Sequence, residues 1–137
     1  MNCFIACVAY MIDVKPIEVV DWLINQCHID PDEKVWENYP RGVHPQELLP
    51  LITARGYMMG IVYKHTNIAP DYESAPIDVD PKIFDAMLEQ FHGIVIGKSS
   101  AGITHACVWI NNHIYDVVNQ NGKLFDPQIF LPVVKMI

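Results

Sequence analysis

The opening run NCFIACVAYMI, Asn2 to Ile12, constrains this chain more than any other segment. It is apolar almost all round. A helix of that composition has no polar face to give to water, so it must be buried on every side. Periodicity alone does not separate such a helix from a buried strand. Asn2 is a good N-cap, and that favours the helix.

Pro16 suits the first turn of a second helix running to about Cys27, with Val19, Val20, Leu23 and Ile24 as its apolar stripe. His28 to Val43 is polar, carries Pro31 and Pro40, and reads as loop. Pro45 opens a third helix that stops at Gly56, and Pro50 should kink it or end it early. Tyr57 to Tyr63 reads as a strand. Residues 64 to 80 hold Pro70, Pro76 and two acidic clusters, and read as a surface loop. Asp80 and Pro81 start a fourth helix that ends near Phe91.

Gly93 to Lys98 and Thr104 to Asn111 read as strands, joined by a short loop with Gly102. Asn111-Asn112 makes a tight turn and His113 to Val118 is the returning strand. Asn119 to Lys123 is a second turn. From Phe125 on, Pro127 and Pro132 predict an edge strand or irregular chain. Helices come first and a mostly antiparallel sheet follows, which is an α+β arrangement in a single domain, 1–137.

The formal net charge of -7 disfavours nucleic acid, whose phosphates an acidic domain repels. No apolar stretch is long enough to span a bilayer, so no membrane partner is expected. The start lacks a basic leader and a small-residue cleavage site. The four cysteines, at 3, 7, 27 and 107, could form two disulfides. Cys3, Cys7 and Cys107 lie in strongly apolar segments, and buried free thiols in a reducing compartment are the simpler reading. A cytoplasmic protein is the expectation.

Cys3 carries the chemistry if the first segment is a helix. It then stands in the first turn, where unpaired N–H groups and the helix dipole favour thiolate, the nucleophilic form. The same N–H groups suit an oxyanion. Cys7, one turn on, should be buried and inert. In the hairpin, a two-residue turn pairs Ile110 with His113, Cys107 with Asp116 and His105 with Val118. His105, Cys107, Ile114 and Asp116 then share one face. His105 and Asp116 become diagonal neighbours, roughly 7–8 Å apart at the backbone and within side-chain reach. That suits a carboxylate orienting an imidazole. A register slip of one residue puts Asn119 opposite His105, so Asn119 is the second choice for that role. Cys3, with His105 as base, would form a thioester that water resolves.

The run NCFIACVAYMIDVKPIEVVDWL resembles the nucleophile helix of papain-like cysteine peptidases, above all the bacteriocin-processing (double-glycine) type and its small bacterial and phage relatives. GVHPQELLPLITARGY is similar to their next helix and strand start, and GIVIGKSSAGITHACVWINNHIYDV to their histidine and aspartate strands. The resemblance spans Asn2 to about Asp126. It implies a papain-like fold, Cys3 as nucleophile, His105 as base, Asp116 as third member, and a peptide or isopeptide-type amide as substrate. The family's oxyanion glutamine has no counterpart before Cys3, so the resemblance leaves that role to the Cys3 N–H or the Asn2 side chain. Phe4 stands where the peptidases often have glycine.

Other readings compete. A zinc site from Cys3, Cys7, Cys27 and His28 fits no common spacing, so no metal and no cofactor are expected. Asp71, Glu73, Asp78 and Asp80 lack the glycine and glutamate of a calcium loop. The second functional class is a binding module: the same fold with an idle site, docking on a protein partner as an effector or inhibitor of phage origin.

Overall fold

The computed structural model describes residues 3–26, 44–64, 78–102, 104–118 and 123–136, the side chain of Phe125 excepted. Asn2, Cys27, the expected loop 28–43, most of the loop 64–80 and the turn beginning at Asn119 lie outside the described residues. The elements in chain order are α1 (Cys3–Met11), α2 (Pro16–Gln26), α3 (Pro45–Ala54), β1 (Tyr57–Met59), β2 (Val62–Lys64), β3 (Asp78–Val79), α4 (Pro81–Gln90), β4 (Gly93–Ser99), β5 (Thr104–Ile110), β6 (His113–Tyr115) and β7 (Leu124–Lys135). The class is α+β. Among the described residues no helix is long and apolar enough to cross a membrane.

The sheet runs β3-β2-β7-β4-β5-β6, and β1 also pairs with β7. Only β2 and β3 are parallel; the other pairs are antiparallel. Alternation along the strands gives the sheet two apolar faces. One face carries Ile94, Ala106, Val108, Ile129, Leu131 and Val133 and is covered by α1, α2 and α3. The other carries Val95, Cys107, Trp109 and Phe130, and α4 covers it through Phe84, Met87 and Leu88. The Trp109 indole N–H also donates to the Leu88 carbonyl at 2.6 Å, which ties β5 to α4.

The all-apolar opening segment is a helix, α1, with Phe4 through Ala9 all buried. It packs between α2 and the sheet, with Tyr10 turned to solvent. Helix α3 runs through Pro50 to Ala54, and Gly56 takes the positive φ of 88° that a C′ residue needs. Asp80 caps α4, accepting from the Lys82 N–H at 2.8 Å.

Three expectations need correction. The segment Tyr57 to Tyr63 is two short strands, β1 and β2, that meet different stretches of β7. Asp78 and Val79 pair with β2 rather than lying in loop. Most important, the tail is neither an edge nor irregular: β7 is central, with β4 along one side and β2 and β1 along the other. Its prolines sit where the ladder is interrupted. Pro127 lies at the register shift opposite Gly97. Pro132 lies where β7 changes partner from β2 to β1, and its carbonyl takes the Gly60 N–H at 2.9 Å. The rule that proline avoids a ladder holds residue by residue. It does not make the whole strand an edge.

Candidate active site

The site is assembled where the β5–β6 hairpin comes apart. Asn111 and Asn112 both take left-handed backbone, with φ of 52° and 63°. Two such residues form the turn whose twist matches a hairpin, and asparagine tolerates that region better than most. The register follows: Ile110 pairs with His113, Trp109 with Ile114 and Val108 with Tyr115. The expected strand to Val118 is shorter, because the ladder stops at Tyr115. The next residue, Asp116, leaves the ladder, and its Oδ2 stands 2.8 Å from Nε2 of His105.

His105 is fully buried, whereas the Asp116 side chain keeps 23 % of its exposure. A carboxylate only accepts, so Nε2 carries the proton of this hydrogen bond. In the neutral ring Nδ1 is then left with its lone pair. Nδ1 is buried and has no hydrogen-bond partner among the described residues. Buried polar atoms without partners are rare and costly, and they concentrate at functional sites. Behind the ring, Gly97 pairs with His105 across β4. A Cβ at Gly97 would run into the Asp126 carbonyl, so only glycine lets β4 and β7 close up there.

Cys3 is the first residue of α1 and is partly buried. Its sulfur is held by backbone hydrogen bonds from Ala106, Phe4 and Cys3 itself. The Ala106 amide is available for a physical reason. In an antiparallel ladder alternate residues turn their N–H groups to the same neighbour. Ala106 therefore points to the β6 side with Val108 and Ile110, but β6 has already ended. Helix α1 thus meets β5 at the residue after His105.

One expectation is reversed. The helix start does not make Cys3 an acidic thiol. Burial pushes its pKa up, and the charge of Asp116 adds to that, against the lowering by the three backbone hydrogen bonds. Desolvation of a thiolate outweighs those partners.

Cys7 is buried, as expected, and burial drives its pKa up, with Cys3, Cys107 and Asp116 adding to the effect. Cys107 is also fully buried, and burial pushes its thiol up to about 12. It is not remote, however. One ligand atom each from His105, Cys107 and Asp116 lie within 4.8 Å of one another.

Of the residues singled out in the sequence, the structure joins His105 to Asp116 and brings Cys3 to the adjoining Ala106 amide. Asn2 and Asn119 lie outside the described residues. Two groups beside the site were not singled out in the sequence for a functional role. The Ala106 N–H is invisible in sequence because it depends on where β6 stops. Cys107 had a signal, a His-x-Cys spacing on one strand, which places both side chains on one face. A cleft of about 450 Å³ lies elsewhere, lined by Asp85, Leu88, Glu89, Trp109 and Asn112, and holds none of these catalytic candidates.

No protein-family model matches the chain, and no match was found among curated proteins or among solved structures.

Proposed function

We propose that the chain is a papain-like thiol hydrolase that cleaves a peptide or isopeptide-type amide, with Cys3 as nucleophile, His105 as base and Asp116 as the residue that orients the base. The observation that carries this reading is the 2.8 Å contact of His105 Nε2 with Asp116, which leaves a buried Nδ1 without a partner among the described residues. An imidazole held that way has one nitrogen committed and one open for proton transfer.

Because burial raises the Cys3 pKa, the sulfur rests as a thiol. Nδ1 takes the thiol proton as the sulfur attacks the substrate carbonyl. The imidazolium is stabilised by Asp116 and returns the proton to the leaving amine. Water, deprotonated by the same nitrogen, then hydrolyses the thioester and restores the thiol. The Cys3 N–H at the start of α1 is the donor for the oxyanion. This reading requires the Cys3 sulfur to reach Nδ1 in the substrate complex, since catalytic hydrogen bonds are often loose beforehand.

The test is alkylation of the full chain by iodoacetamide at neutral pH, with modified cysteines located by mass spectrometry. Cys3 labels fastest, ahead of Cys7 and Cys107. Exposure alone would rank it first, so the decisive comparison is His105→Gln, which slows Cys3 labelling while circular dichroism shows the fold retained. Labelling of Cys3 that ignores His105 defeats the hydrolase reading and leaves the fold as a protein-binding module with an idle site.

A further inference from the structure

We infer that His105, Cys107 and Asp116 form a binding site for a thiophilic divalent cation of the zinc type. The inference does not depend on the hydrolase reading. It rests on two observations. The first is the cluster itself: one nitrogen, one sulfur and one oxygen donor within 4.8 Å of one another. The second is burial: His105 and Cys107 are fully buried, and Nε2, the ring nitrogen 2.8 Å from the Asp116 carboxylate, is the one that an ion shared with Asp116 would take.

The donor set selects the ion. A thiolate and an imidazole favour zinc, cobalt or copper, whereas magnesium and calcium need oxygen shells. Around a tetrahedral ion with bonds of about 2.0–2.3 Å, donor atoms stand about 3.3–3.8 Å apart. The observed cluster is close to that spread, and a side-chain adjustment of about an ångström closes it. His105 and Cys107 are two residues apart on β5, a regular strand, so both point the same way. Asp116 lies just past the end of β6.

Charge balance supports the assignment. A dication with one thiolate, one carboxylate and a neutral imidazole is neutral overall. It can therefore sit in a site where His105 and Cys107 are fully buried. Without the ion the same burial keeps Cys107 protonated. A dication reverses that preference, displacing the thiol proton to solvent as the sulfur–metal bond forms. The partly exposed Asp116 provides the way in. Three protein donors leave a fourth position for water, the pattern of an open zinc site.

Occupancy has a consequence for the proposed chemistry. A cation on Nε2 displaces the ring proton to Nδ1, so metal binding switches the proposed base off.

Cobalt titration of the chelator-treated full chain, without oxygen, tests the site. One equivalent of Co²⁺ should give a thiolate-to-cobalt absorption in the near ultraviolet and tetrahedral bands in the visible, both removed by Zn²⁺. Cys107→Ser abolishes the ultraviolet band, and Cys3→Ser and Cys7→Ser keep it. Asp116→Asn, milder for folding, weakens binding at least by the roughly tenfold that loss of a mere supporting partner costs. No band at one equivalent, a band that survives Cys107→Ser, or a band lost with Cys3→Ser overturns the site. Because absorption is the readout, an inactive protein that still binds cobalt separates this inference from the hydrolase reading.

Discussion

His105 Nε2 and Asp116 Oδ2 lie 2.8 Å apart although the residues are eleven positions apart in the chain, and the imidazole is fully buried. The bond sets the tautomer, and with it the nitrogen that faces any chemistry.

Removing the carboxylate should cost stability as well as reactivity. Asp116→Ala strands a buried N–H, and the cost of an unsatisfied buried donor is about 1–3 kcal/mol. Asp116→Asn keeps an acceptor oxygen, so its loss should stay below about 1 kcal/mol. Cys3 alkylation should slow in both, because neither variant can stabilise an imidazolium. Denaturant midpoints and labelling rates check this. Equal stability of the alanine variant and the parent would show that His105 finds another partner.

The hairpin turn sets where Asp116 falls, so it should control the site from a distance. Asn112→Val puts a β-branched residue at φ 63°, a region that costs an ordinary side chain about 1–2 kcal/mol. The variant should lose about that much and should label more slowly at Cys3. Asn112→Gly should keep both stability and labelling. A valine variant with unchanged unfolding would mean that the turn is not what holds the register.

The hairpin was legible in sequence because its information is local: two asparagines and alternating side chains fix which residues share a face. The helical start was legible because residues 3–11 have nowhere polar to face. Strand β7 was misread because prolines announce a local break and not where the strand lies in the sheet. Two interruptions, at Gly97 and at the handover from β2 to β1, accommodate them. The direction of the Cys3 shift was misread for a related reason. Helix N–H groups can be counted from sequence, but the depth of burial that outweighs them is a tertiary property.

Burial of thiols predicts alkaline fragility. In the unfolded chain a cysteine ionises near its ordinary value of about 8.5. In the folded chain Cys107 holds its proton to about 12, and Cys7 is raised as well. Above the unfolded value the folded state therefore binds more protons than the unfolded one. Stability is fully present below that pH and declines as pH rises toward the folded value. The slope is at most about 1.4 kcal/mol per pH unit for each thiol. Urea denaturation between about pH 8 and pH 10 should show the decline, at no more than roughly that slope. Cys107→Ala should flatten the slope, whatever it does to the stability at neutral pH. A slope that ignores the substitution would assign the alkaline loss to other groups.

Gly97 ties the site to the centre of the sheet, because it faces His105 on one side and Pro127 on the other. A methyl there meets the Asp126 carbonyl, a backbone atom that cannot swing aside. Gly97→Ala must therefore part β4 from β7 or push β5 outward, at about 2 kcal/mol or more. Gly102→Ala is the matched control. Its Cβ meets open space, and its cost comes only from a φ of 79°, about 1 kcal/mol. The Gly97 variant should also slow Cys3 labelling, since moving β5 moves both His105 and the Ala106 amide that holds the sulfur. The Gly102 variant should leave labelling near that of the parent. If Gly97→Ala unfolds within about 0.5 kcal/mol of the parent, β4 and β7 are not as close as this arrangement requires, and the support proposed for the imidazole fails with them.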